Sequence, residues 1–350
     1  MTTALDLLFH AYQHNSQQGA ANQLWLVTEN LSVTGHPITQ ISHATVISNR
    51  WDQYQLFNPD VALFSDFNID AASYNKPFDF IYSAIPKERA QLNFLLNQCA
   101  LHLAAGGKLY LTGEKQQGIK SVPKNSKLLF GGASIEKHGN DYLVTLTKTD
   151  SCTEPSLLDD QSYTELRAIG HLQQLELYSK PGIFGWDKID QGSALLAKHL
   201  ATKVHQFDKH QCAVLDLGCG YGYLTLAAAE LGFTELYATD NNAAALLAIA
   251  ENATRNGLAI QAWPGDIGGP VTQTFPLILC NPPFHQGFEH SKALTNGFCQ
   301  KMAEFLTDNG VALVVVNQFI ALETIAKPFF KSIQLVNKEQ GFKVLELRKS

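Results

Sequence analysis

The sequence lacks several features, and each absence removes a class of protein. There is no Cys-x-x-Cys pair; the six cysteines, Cys99, Cys152, Cys212, Cys219, Cys280 and Cys299, are scattered. That scatter argues against a zinc site or a secreted disulfide framework and suits reduced thiols in a cytosolic protein. No apolar run is long enough to span a bilayer. The start, MTTALDLLFHAYQHN, has neither the basic opening nor the apolar stretch of a signal peptide; it reads as an amphipathic helix. Positive charge is not in excess: 26 Lys and Arg face 32 Asp and Glu, a net charge of −6. A purely basic nucleic-acid-binding protein is thereby disfavoured, while an enzyme with a local basic patch stays open. A length of 350 residues suggests two domains.

The second half carries a βα grammar. Cys212 to Leu217 is an apolar run that ends in Asp216 and glycines, as a buried strand entering a turn does. Strands are expected at Glu235 to Thr239, Ile260 to Trp263, Phe275 to Cys280, Val311 to Val316 and Phe342 to Leu347. Helices are expected at Leu224 to Leu231, Ala243 to Asn256 and Ser291 to Leu306. Strands alternating with helices imply an α/β fold with a mostly parallel sheet.

The first half repeats part of this pattern. The segment Phe78 to Pro86 can be laid on Phe275 to Pro283, with phenylalanine, isoleucine and proline coinciding. Each segment leads into a helix, a small turn (Ala105-Gly106-Gly107; Asp308-Asn309-Gly310) and a strand. This reads as an internal duplication in which the first copy has eroded. After its first strand, Gln23 to Thr28, comes Glu29-Asn30-Leu31 with no glycine loop, and Ala84 stands where the second copy has Asn281. Such a copy is expected to bind no cofactor. Residues 1–150 form the expected first domain, the acidic, breaker-rich stretch within 151–165 a linker, and residues 166–350 the catalytic domain.

Asp216-Leu217-Gly218-Cys219-Gly220-Tyr221-Gly222 follows a strand and precedes a helix. Glycines there permit a tight turn and close backbone approach to a ligand. The spacing is G-x-G-x-G, not the dinucleotide G-x-G-x-x-G, and alone it is weak evidence. Asp216, at the strand end, is placed to orient the loop or a ligand's amino-acid part. Asp240 closes the next strand, where a carboxylate can take both hydroxyls of a ribose. Asp266, in Gly265-Asp266, follows the third strand and is placed to accept from an exocyclic amine of an adenine.

Asn281-Pro282-Pro283-Phe284 follows a buried strand, at the sheet edge where α/β folds bind ligands. An exocyclic amine on a base is a poor nucleophile because its lone pair is delocalised into the ring. An acceptor pair, the Asn281 side-chain oxygen and the Pro282 carbonyl, can hold both N–H groups and free that lone pair. Prolines fix φ and remove donors, which leaves a rigid acceptor edge. Phe284 offers a face for a flipped base. His285, next in the chain, is placed to accept a proton or contact phosphate.

VLDLGCGYGYL, Asp240 and NPPFH together resemble the class I methyltransferases that act on exocyclic amines. The stretch Lys180 to Ser193 (KPGIFGWDKIDQGS) resembles one found in bacterial ribosomal RNA guanine-N2 methyltransferases, and the closest match is the small-subunit methyltransferase C family. The resemblance implies two tandem Rossmann-like domains, each doubly wound on a mostly parallel seven-stranded sheet, with the N-terminal copy degenerate. It implies S-adenosylmethionine as cofactor, held by Asp216, Gly218, Cys219, Gly220, Gly222, Asp240, Asp266 and Asn281. It adds Phe184, Asp190 and Gly192 to the pocket. Gly185-Trp186 stands where the family tends to have Ser-Arg, so one RNA or loop contact that the resemblance implies lacks its arginine. The implied substrate is a guanine N2 in 16S RNA of the 30S subunit, methylated by a cytoplasmic monomer that needs neither metal nor membrane. The tetrapeptide also suits a 23S guanine, an adenine N6 or a release-factor glutamine, and a non-catalytic RNA-binding assembly factor is the rival of another class. RNA needs positive surface. Candidates are Lys108, Lys115, Lys120, Lys124 and Lys127, and Lys327, Lys331, Lys338, Lys343, Arg348 and Lys349.

Overall fold

A computed structural model describes residues 4–17, 21–28, 41, 44–70, 76–150, 156–269, 272–283 and 288–349. The chain divides into two compact units, Met1–Thr164 and Glu165–Ser350.

The first unit runs α1 (Ala4–Ser16), β1 (Gln23–Val27), β2 (Thr45–Ser48), α2 (Trp51–Tyr54), β3 (Ala62–Phe64), β4 (Phe78–Ala84), α3 (Arg89–His102) and β5 (Leu103–Glu114). Short helices α4 (Val122–Asn125) and α5 (Lys127–Phe130) then lead to β6 (Gly131–His138) and β7 (Asp141–Lys148). The second unit opens with a hairpin, β8 (Arg167–Leu172) and β9 (Leu175–Ser179). It continues through α6 (Gln191–Lys203), β10 (Val214–Leu217), α7 (Tyr223–Glu230), β11 (Leu236–Asp240), α8 (Ala243–Arg255), β12 (Ile260–Pro264), β13 (Phe275–Cys280), α9 (Phe288–Phe305) and β14 (Leu306–Asn317). It ends with α10 (Leu322–Ala326), β15 (Ser332–Glu339) and β16 (Phe342–Arg348).

The two sheets share one topology. The first is ordered β3-β2-β1-β4-β5-β7-β6 and the second β12-β11-β10-β13-β14-β16-β15. In each, five strands are parallel and the last two form an antiparallel hairpin. Both also carry the same irregularity. Phe78 pairs with Leu103 and Phe80 with Lys108; likewise Phe275 pairs with Leu306 and Leu277 with Val311. The expected tandem, mostly parallel seven-stranded architecture is therefore the one observed.

Alternation along the central strands sends neighbours to opposite faces. In the first unit Leu24, Leu26 and Ile81 enter one apolar cluster, while Trp25, Val27 and Tyr82 enter another. In the second, Val214, Leu277 and Leu279 pack on one face and Leu215, Leu217, Ile278 and Cys280 on the other. Strands covered on both sides read as continuous apolar runs, which is why β10 and β13 are visible in the sequence. The described residues of the expected 151–165 linker are fastened to the first unit. The Tyr163 ring stacks on Phe94 at 4.6 Å, its hydroxyl donates to Asp66 at 2.8 Å, and Asn97 binds the backbone of Leu158.

Candidate active site

The turn after β10 is built on left-handed glycines: Gly218, Gly220 and Gly222 have φ of 76°, 54° and 92°. Gly222 is the most constrained. A Cβ there would lie 2.0 Å from Ile249 Cδ1, so any side chain both strains the backbone and collides with α8. The amides of Gly218 and Cys219 donate to the Thr239 carbonyl at 2.9 and 3.0 Å. The loop is thus sewn to the end of β11.

Asp240 does further sewing. Its Oδ2 accepts from the Gly220 amide at 2.8 Å and its Oδ1 from the Asn242 amide at 2.9 Å. Each carboxylate oxygen has a second lone pair, so the group can hold the loop and still accept from a ligand's hydroxyls. Asp216 is buried within the end of β10. Its Oδ2 accepts from the Thr225 amide and hydroxyl at 3.0 and 2.8 Å, pinning the first turn of α7, while its Oδ1 is buried with no partner among the described residues. Burial pushes the Asp216 carboxyl up to about 7; the Thr225 bonds oppose this and the charge of Asp240 adds to it.

A carboxyl whose folded pKa is raised favours the folded state most below its unfolded value, about 3.9, and that contribution is lost as pH rises through about 7. Asp216→Asn keeps an acceptor for Thr225 and cannot ionise. The melting temperature of this variant, measured without cofactor, is expected to gain on the wild type by several degrees between pH 5 and pH 8. A difference that stays flat with pH would contradict this account of Asp216.

Asn281 follows β13 directly. Its Nδ2 donates to Asp190 Oδ2 and to Ser193 Oγ, both at 2.8 Å. Both amide hydrogens are thereby used, and a carboxylate partner can only accept, so the orientation of the amide is set: Nδ2 faces α6 and Oδ1 lies on the other side of the amide, away from these two partners. Asp190 is also the N-cap of α6, accepting from the Ser193 amide at 2.8 Å. Gly192 lets this turn pack closely, since a Cβ there would lie 3.0 Å from the Phe342 ring and 3.1 Å from Asp190 Oδ2. Asp190 thus fixes the Asn281 amide and the start of α6 together. Asp190→Ala is expected to lower kcat about tenfold or more, with S-adenosylmethionine affinity moved less than threefold, and Asp190→Asn, which restores an acceptor, to recover most of it. Single-turnover rates and calorimetric titration check both.

Cys280, one residue before Asn281, does not supply a thiolate. It is fully buried, burial drives its thiol pKa well up, and its Sγ donates to the Leu217 carbonyl at 3.2 Å. Cys219 is also held up by burial and lies in the loop. Pro282 is buried and Pro283 exposed beside Asn281. Phe284 and His285 lie outside the described residues. Asp266 is exposed at the first position of the turn after β12, where the Gly265 amide donates to the Asp240 carbonyl at 3.0 Å. Phe184 is 61% exposed, on the loop leading to Asp190.

Three supporting residues had not been singled out from sequence. Asn252 is fully buried on α8; it donates to the Tyr178 and Tyr221 carbonyls and accepts from the Tyr178 amide. It ties the β8–β9 hairpin to the glycine loop. Asn242 caps α8 and donates to the Gly182 carbonyl at 2.7 Å. Ser193 is the second acceptor for Asn281. The available signal was Asn252 with Asn256, one helical turn apart in an alanine-rich helix, where asparagine has low intrinsic preference.

The lysine candidates divide. Lys343 is 7% exposed, and its Nζ binds both Glu323 oxygens at 2.7 and 2.6 Å. Arg348 is paired with Glu346, and Lys349 with the Leu306 carbonyl. These three serve the fold. Lys327, Lys331, Lys338, Lys108, Lys115, Lys120, Lys124 and Lys127 are exposed.

The first unit lacks this constellation at matching register. Trp25 opposes Tyr82 as Asp216 opposes Leu279. The indole is buried and stacks on Tyr82 at 5.1 Å. Ser48 occupies the place of Asp240. Its Oγ accepts from the Arg50 amide at 3.1 Å, as Asp240 accepts from Asn242, so the turn survives without a carboxylate. Ala84 occupies the place of Asn281.

Among the described residues, no cluster of three or more His, Cys, Asp or Glu could hold a metal, and no helix is long and apolar enough to cross a membrane. Residues 174–346 match the Methyltransferase small domain family, and residues 21–131 the Methyltransferase small domain N-terminal family. The chain is 30% identical over 280 residues to the ribosomal RNA small subunit methyltransferase C of Shewanella loihica, covering 78% of each chain. It is 29% identical to the protein of the same name from Acinetobacter baylyi, covering 76% of this chain and 78% of that one. Its fold is similar to that of a T. thermophilus 16S rRNA N2 methyltransferase in complex with AdoMet and guanosine. The TM-score is 0.78 at 23% identity, over 94% of this chain and 88% of that one.

Proposed function

Because the chain belongs to the ribosomal RNA small subunit methyltransferase C family, we propose that it methylates the exocyclic N2 amine of a guanine in 16S ribosomal RNA, using S-adenosylmethionine. The observation that carries this reading is the Asn281 amide at the end of β13, whose Nδ2 is locked by Asp190 and Ser193; its oxygen would then be the acceptor offered to the amine.

The residues suit the cofactor. Asp216 has a buried oxygen without a partner among the described residues, and Asp240 places a carboxylate at the end of β11, where it holds the Gly220 amide of the glycine loop. Asp216, Gly218, Cys219, Gly220, Gly222, Asp240 and Asp266 would hold the cofactor, with Phe184 and Gly192 at its edge. S-adenosylmethionine supplies a methyl group on a sulfonium, already electrophilic. The protein's task is then positioning and electrostatics. Asn281 Oδ1 and the Pro282 carbonyl accept the two N–H groups of the guanine amine and draw its lone pair out of the ring. Phe284 stacks the flipped base. No side chain needs to form a covalent bond, in keeping with the buried, protonated thiol of Cys280.

The first unit would hold RNA rather than cofactor. Lys115, Lys120, Lys124 and Lys127 follow β5 in one exposed stretch, and a row of cations of this kind suits a phosphate backbone. The enzyme would act as a cytoplasmic monomer on the 30S subunit. Incubating it with labelled S-adenosylmethionine and purified 30S subunits, 50S subunits, DNA or release factor tests the reading. Label is expected in 30S RNA as N2-methylguanosine; label confined to any other substrate, or to none, overturns it.

A further inference from the structure

Among the described residues only two Phe, Tyr or Trp rings are exposed, Phe184 at 61% and Phe319 at 86%. Both belong to loops that bracket the Asn281 end of the second sheet. The loop of Phe184 ends at Asp190, which holds Asn281. The loop of Phe319 leaves the carboxyl end of β14, the parallel neighbour of β13, with Val314 opposite Cys280. It therefore emerges over the same edge, one strand away, at a strand spacing of about 4.8 Å. Contacts also connect the two sides: Gly192, two residues after Asp190, packs on Phe342, and Phe342 pairs with Asn317.

The backbone under Phe319 is held firmly. Its own amide donates to Asn317 Oδ1 at 3.1 Å, and the Gln318 amide donates to the Gly341 carbonyl at 2.8 Å. The Ile320 amide returns to the Asn317 carbonyl at 3.0 Å. Beyond the loop, α10 is anchored by buried Leu322 and Ala326 and by the Lys343–Glu323 ion pair. A loop this well tied has no fold-level need for an exposed phenylalanine, which forgoes the gain of burial. Scattered exposed apolar residues are ordinary. Here, though, both phenylalanines sit on loops at the one sheet edge where a base must be received.

We propose that Phe319 is a substrate-binding residue: its ring stacks on a nucleotide next to the target guanine, one whose face is bared when the target is flipped out of the RNA. This rests on the 16S guanine reading above. Extruding a base leaves its neighbour unstacked, and an aromatic ring at that position replaces the lost partner without reading its identity.

The test uses the full chain, S-adenosylmethionine and purified 30S subunits. Phe319→Ala is expected to raise KM for 30S subunits between about fivefold and a hundredfold, the range of one base-stacking contact, with kcat within threefold and cofactor affinity unchanged. Phe319→Trp should keep a wild-type KM, and its added indole emission should be quenched on binding. Phe319→Leu, apolar without a π face, should behave like Phe319→Ala. An unchanged KM in Phe319→Ala overturns the proposal. So does rescue by leucine as complete as by tryptophan, which would mark a packing or protein contact instead. If the wild type transfers no methyl group to 30S RNA, the underlying reading fails and this inference with it; a fully active wild type beside an indifferent Phe319→Ala removes this inference alone.

Discussion

Asn281→Ala is expected to lower kcat by roughly 10²- to 10³-fold, the scale of losing one preorganised polar contact to a developing charge, while S-adenosylmethionine affinity stays within about threefold of wild type. The separation follows from what the side chain does. Its amide hydrogens are spent on Asp190 and Ser193, so Oδ1 is the atom left to accept, and in the proposed mechanism it would meet the amine rather than the cofactor. Removing it leaves Asp190 capping α6 through the Ser193 amide, so the fold should hold. The first unit shows that this strand end tolerates alanine, since Ala84 occupies the same register there. Rapid-quench kinetics with calorimetric cofactor titration reads both quantities. Full activity in the variant would remove the mechanism.

Asp240→Ser should weaken S-adenosylmethionine binding by roughly 10²-fold or more, with a smaller stability loss than Asp240→Ala, because the turn bond to Asn242 is kept and only the acceptor for the Gly220 amide is lost. Hydrogen bonds to a charged group are worth about 1.5–3 kcal/mol each, and the ribose would lose two. Serine is the informative replacement because Ser48 already makes the equivalent turn in the first unit, accepting from the Arg50 amide as Asp240 accepts from Asn242. Asp240→Ala, which also loses the turn, should show the same binding defect together with a lower melting temperature. Equal affinities for wild type and Asp240→Ser would show that the carboxylate holds only the loop.

Much of this was legible in the sequence because fully buried parallel strands write themselves as apolar runs. Phe275–Cys280 was read at its observed bounds, and β10, β11 and β12 to within about two residues. Motif residues were legible because backbone sterics demand glycine at φ of 54° to 92° and because a proline pair rigidifies the Asn281 edge. The edge strand β15 went unread: it is half exposed, and its register shifts between Leu335 and Asn337, so it lacks clean alternation. The β8–β9 hairpin is short and mostly half-buried, and its attachment to α8 depends on Asn252 and Asn256, which look like surface residues until the helix is packed. Lys343 misled for the same reason. Its partner Glu323 lies twenty residues away, and only the folded chain shows that its charge is already neutralised. The locking of Asn281 by Asp190, 91 residues upstream, is likewise a tertiary fact that the spacing alone does not contain.

In the proposed reaction this site places a methyl group on a guanine N2 in 16S RNA. Mass mapping of modified nucleotides in ribosomal RNA from cells lacking the gene tests it most directly, with the gene returned as wild type or as Asn281→Ala. The account predicts that N2-methylguanosine disappears from a position in 16S RNA, returns with the wild type and stays absent with Asn281→Ala. An unchanged 16S map, a mark lost from 23S RNA instead, or restoration by Asn281→Ala would contradict it.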